Sequence, residues 1–203
     1  MIDSSVYEIP NSPSEYAEGV HSGVWVPSGL VPPPAEVASA ALCLLHGRFR
    51  RKRAIKRMFE ALTAAQYIPE GCELKFKLYD RRVAYMTDGG GAVFSLSSIC
   101  RGSGAFTLKL VLHEVAHLWL SKKPCYPKLK ALQKGVRAEF GSAVPGEFLP
   151  IEYYAVSLSV KMLECILPIA NKGDKAHIQA QIDCEKSKLT SLSLSQKETK
   201  ENI

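Results

Sequence analysis

No run of about 18 apolar residues occurs anywhere in the 203-residue sequence, which excludes a membrane-spanning helix as an expectation. The first residues, Met1 to Tyr16, lack a basic start followed by an apolar stretch, so no secretory signal is expected there. Six cysteines are present, yet none forms a C-x-x-C pair, and a cysteine-built zinc site is not expected. Their spacings are wide and a chain of this length needs no staples, so they read as reduced thiols in a cytoplasmic protein. The glycine cluster after Asp88 (Gly89, Gly90, Gly91) lacks the Lys-Ser/Thr of a phosphate loop and reads as a turn. Aromatics are sparse, at 8%. Internal repeats are absent.

What is present fits one globular domain over residues 35–188, preceded by an irregular segment over 1–34 and followed by a flexible tail over 189–203. Pro13, Pro27 and the run Pro32-Pro33-Pro34 break any periodicity in the first segment, although Val24-Trp25-Val26 suits a short strand. A helix is expected from Pro34, divided at Gly47, with Ile55, Met58, Phe59 and Leu62 on one buried face. Leu74, Phe76 and Leu78 alternate with Lys75, Lys77 and Tyr79, a strand period. Short strands over 83–87 and 92–97 complete a small sheet, expected to be antiparallel, with 92–97 at its edge. A helix over 106–120 carries Leu108, Val111, Leu112, Val115 and Trp119 on one face. Residues 124–149 read as a long connection, Pro150 to Leu167 as a helix, and Lys172 to Lys188 as a polar helix.

The sharpest signal is His113-Glu114-Val115-Ala116-His117. Histidines four apart stand one turn above each other on a helix and can reach one metal ion. Glu114 projects about 100 degrees round the helix from His113, near the metal without being a ligand. Zinc brings the pKa of a bound water down to about 7, and a carboxylate beside it can take the proton and return it to a leaving amine. The pattern therefore predicts one Zn2+ per chain, held by His113 and His117, with Glu114 as general base. A catalytic zinc needs a third protein ligand. The downstream carboxylates are Glu139, Glu147, Glu152 and Glu164. Glu152 leads, because it sits in the first turn of a helix that can fix its direction; Glu147 is the alternative. Tyr153 or Tyr154 beside it is a candidate oxyanion donor, although both also suit a core. His21, His46 and His177 are expected to play ordinary roles.

On these residues the chain resembles the ImmA/IrrE-type, gluzincin-like HExxH metallopeptidases. The resemblance is carried by Phe94-Ser95-Leu96, Phe106-Thr107-Leu108, the motif His113–His117 with Leu118, and Glu152-Tyr153-Tyr154-Ala155, across roughly residues 73–167. The chain departs from the family at Ala116, where glycine is frequent, and at Val156-Ser157-Leu158 and Ile166-Leu167-Pro168. The resemblance implies an α+β, zincin-like metallopeptidase domain over 35–188, in which the motif helix and a downstream ligand-bearing helix pack on a small antiparallel sheet. It also implies an intracellular protein as the peptide substrate.

The net charge is +6, and its excess is concentrated. Arg48, Arg50, Arg51, Lys52, Arg53, Lys56 and Arg57 crowd the stretch 48–57. Only Phe49 interleaves them, so no dedicated nucleic-acid module is indicated. The run reads as a solvated helix face or as a patch for nucleic acid or an acidic partner. The second option defines the rival reading: a non-catalytic binding protein using this helix, with a vestigial or structural metal site.

Overall fold

Ser103 starts the helix on which the site depends. Its side chain accepts a hydrogen bond from the Phe106 amide at 3.0 Å, satisfying one of the unpaired donors of the first turn. The computed structural model describes residues 9–16, 35–47, 50–87, 90–144, 146 and 149–200. The expected strand at Val24–Val26, together with His21, Arg48, Phe49, Asp88, Gly89 and Glu147, lies outside the described residues. The described elements are α1 (Ala35–Leu45), α2 (Arg51–Ala64), β1 (Leu74–Lys77), β2 (Ala84–Met86), β3 (Ala92–Ser95), α3 (Leu96–Arg101), α4 (Gly104–Ser121), α5 (Tyr126–Phe140), α6 (Pro150–Ile166) and α7 (Lys172–Lys200). The described residues are thus mostly helical with one small sheet, in keeping with an α+β class.

Gly47, with φ +74°, makes the left-handed turn between α1 and α2. The face of α2 made by Ile55, Met58, Phe59 and Leu62 is buried, as its spacing predicts. The sheet differs from expectation. Its order is β1-β3-β2, with β3 parallel to β1 and antiparallel to β2. It is therefore mixed, and β3 is its centre rather than its edge; all four of its residues are buried. Alternation reveals which face of a strand is apolar but not which way its neighbour runs. The Phe94 ring meets Phe59 edge-on at 6.0 Å and lies tilted against Phe76 at 6.2 Å, fixing the sheet on α2. β1 ends at Lys77, leaving Leu78 65% exposed instead of inward. Residues 96 and 97, expected to continue the third strand, instead begin α3.

α4 and α6 form the most extensive helix pair. Leu108, Leu112, Val115 and Leu118 of α4 are fully buried, as are Ala155, Leu158 and Leu163 of α6. Each buried leucine contributes about 1.5–3 kcal/mol of transfer free energy. α6 is apolar nearly all round because α4, α5 and α7 all pack against it. α5 replaces most of the expected connection over 124–149. α7 continues to Lys200, beyond the helix end expected near Lys188. Lys109 of α4 reaches Glu185 of α7 at 2.9 Å, both side chains being largely buried. Residues 9–16 lie against this body: Ile9 and Tyr16 are buried, and Lys128 donates to the Ile9 carbonyl at 2.7 Å.

The basic run divides. Arg51 is buried and donates to the carbonyls of Ile99 and Gly102, each at 2.6 Å. It ties α2 to the C-terminal end of α3, where positive charge is favoured. Arg50, Lys52, Arg53, Lys56 and Arg57 are exposed.

Candidate metal centre

His113 and His117 are separated by one turn of α4, so their rings stack along the helix, edge to face with centroids 4.7 Å apart. Their Nε2 atoms approach to 3.1 Å. Glu152, in the first turn of α6, brings Oε2 to 3.4 Å from His113 Nε2 and 3.3 Å from His117 Nε2. A tetrahedral zinc with bonds of about 2.0–2.1 Å holds its donor atoms about 3.3 Å apart. The three separations match the edges of such a tetrahedron, and two nitrogens with one carboxylate oxygen suit zinc. Of the carboxylates weighed from the sequence, the one that meets the imidazoles among the described residues is Glu152. Glu139 is exposed on α5, where Ser14 donates to it at 3.2 Å. Glu164 pairs with Lys186 at 2.6 Å.

The electrostatics follow from this geometry. Burial works to raise the Glu152 carboxyl, but hydrogen bonds and charge from His113 and His117 outweigh it and hold the group well below the usual carboxylate range. Glu114 is only 5% exposed. Burial, the largest influence, raises its carboxyl, the two imidazoles pull against this, and the Glu152 charge adds to it. Two carboxylates near one histidine pair are thus pushed in opposite directions, Glu152 toward its charged form and Glu114 toward its protonated one.

The three groups open on a cavity of about 710 Å³. One wall is β2, with Ala84, Tyr85 and Met86; the other is α5, with Tyr126 and Lys130. Among the described residues β2 is an edge strand, paired to β3 on one side. The open edge beside the site is therefore β2, not the expected 92–97. Burial raises the Tyr126 phenol, as does the Glu152 charge, so it remains a hydrogen-bond donor. Tyr153 and Tyr154 are buried in the core instead, and neither lines the cavity. His177 is exposed on α7, and His46 pairs with Asp174 at 2.8 Å; neither lines the cavity.

Sequence reasoning missed the α5 wall. A signal was present: Leu129, Leu132 and Val136 recur at helical spacing, and Pro127 suits a first turn. No family model, curated protein or solved structure matches the chain.

Proposed function

We propose that the chain is a zinc-dependent metallopeptidase that hydrolyses peptide bonds of a protein substrate. The observation that carries this reading is the convergence of His113, His117 and Glu152 at tetrahedral donor spacing beside a buried Glu114. A structural site would have no use for a proton acceptor there.

In this reading His113, His117 and Glu152 hold the metal, His113 and His117 through neutral imidazole nitrogens. Bound zinc supplies Lewis acidity, polarising a carbonyl and making water acidic enough to lose a proton near pH 7. Glu114 takes that proton and delivers it to the departing amine. Burial keeps the Glu114 carboxylate poorly solvated, which strengthens it as a base. The open edge of β2 gives an extended peptide backbone partners and lays it along the cavity. Tyr126 donates its phenolic hydrogen to charge developing on the carbonyl oxygen, and Lys130 adds positive potential on the same wall.

The test is metal analysis of the purified chain combined with cleavage of an unbiased peptide mixture. About one zinc per chain and cleavage lost on chelation are expected. Zinc held without cleavage of any peptide would favour the binding-protein reading, and no zinc uptake at all would sink both the metal and the activity.

A further inference from the structure

A second cavity, of about 1050 Å³, shares no lining residue with the metal centre. It lies between α1 and α2. Arg53 and Arg57 line it from α2 and Arg50 from the residue just before that helix, and Leu42, Cys43 and Ala54 provide apolar surface. The i, i+3, i+7 spacing puts the three arginines on one face over two turns of helix. All three are exposed. Among the described residues, the lining contains no carboxylate and none of the three guanidiniums is in an ion pair. Three unneutralised guanidiniums around one concavity repel one another unless an anion joins them.

We propose that this cleft binds a small organic ligand carrying adjacent phosphate groups. Each guanidinium offers a planar fork of N–H donors that matches two phosphate oxygens, and three such forks suit more than one phosphate. The apolar patch of Leu42, Cys43 and Ala54 suits the organic portion. The cavity volume is of the order found for small-molecule sites. A polymer backbone would be served by a longer track of cations, whereas of the other described cations in the run Lys56 is exposed but does not line the cleft. Arg51 is buried under α3, and Lys52 turns over the Phe76 ring, its Nζ 5.4 Å from the ring centre. The proposal does not depend on the peptidase reading.

Calorimetric titration of the full chain with inorganic pyrophosphate tests it, alongside a short oligothymidylate. Wild type should bind pyrophosphate. Arg53→Gln/Arg57→Gln should weaken binding about tenfold or more, because charge-assisted hydrogen bonds are lost. Arg50→Gln alone should act in the same direction. Neither variant alters the metal centre, so chelation of zinc by the probe contributes equally to wild type and variants and cancels. Among the described residues the three arginines have no ion-pair partner, so the unfolding midpoint should stay at the wild-type value. Equal binding by wild type and the double variant, or no binding at millimolar pyrophosphate, overturns the proposal. So does an oligothymidylate that binds far more tightly than pyrophosphate with a steep salt dependence, which would make the cleft part of a nucleic-acid surface.

Discussion

At the scale of single residues, the two glutamates near the histidines should separate cleanly. Glu114→Gln preserves shape but cannot accept a proton at neutral pH, so zinc content should hold while kcat falls about 100-fold or more. Loss of zinc in this variant would make Glu114 a ligand or a folding element. Glu152→Ala should weaken zinc affinity sharply in a competition titration with a chelator, whereas Glu139→Ala should not, since Glu139 faces Ser14. Equal effects would remove Glu152 from the metal. The same scale shows where the sequence could mislead. Arg51 reads as one more cation in a run, yet it is buried with two backbone partners. Arg51→Met should cost about 1.5–3 kcal/mol in urea unfolding, because two carbonyls at the end of α3 lose a charged donor. Arg53→Gln should change stability by less than about 0.5 kcal/mol. Composition cannot distinguish these two arginines, because the difference lies in what packs over each.

At the scale of elements, the motif helix α4 and α6 were legible because both have strong apolar periodicity and clear starts. Pro150 opens α6 as expected, with Glu152 in its first turn. α5 was not legible as an element, since Pro124, Pro127 and Gly135 suggested a loop, and the Tyr126 wall was lost with it. Tyr126→Phe tests that wall: kcat should fall about 100-fold with KM little changed, the signature of a donor used mainly in the transition state. A rise in KM alone would make Tyr126 a substrate contact only. The junction between α1 and α4 is another feature invisible to periodicity. A Cβ on Gly104 would come within 2.5 Å of the Leu45 Cα and 2.6 Å of its carbonyl oxygen. Backbone cannot yield as a flexible side chain does, so Gly104→Ala should destabilise by about 1–3 kcal/mol in spite of alanine's better helix propensity. An unchanged unfolding midpoint would mean that the helix start can slide.

At the scale of the whole molecule, the Lys109–Glu185 pair ties the motif helix to α7. Burial works to raise the Glu185 carboxyl, but Lys109 and Lys188 more than reverse it and leave it depressed. A depressed carboxyl contributes stability that is present above its unfolded pKa of about 4.3 and fades as pH falls through the lower folded value. Urea midpoints should therefore drop more steeply below about pH 4.3 in wild type than in Glu185→Gln. Parallel curves would show that the pair contributes nothing. The balance of helix and sheet could be read from the sequence, but the direction of β1 could not, because strand pairing is decided by long-range contacts. That pairing also has a kinetic side. β3 is central in space but last of the three strands in the chain. β2 and β3 join residues as near in sequence as Met86 and Ala92, whereas β1 must bring Leu74 to Ala92. The shorter closure loses less chain entropy, so the hairpin should form early in the folding transition state, with β1 docking onto it afterwards. Substitutions at Tyr85 or Val93 should then slow folding, and those at Leu74 should mainly hasten unfolding. The strand that emerges first would be the last to find its place.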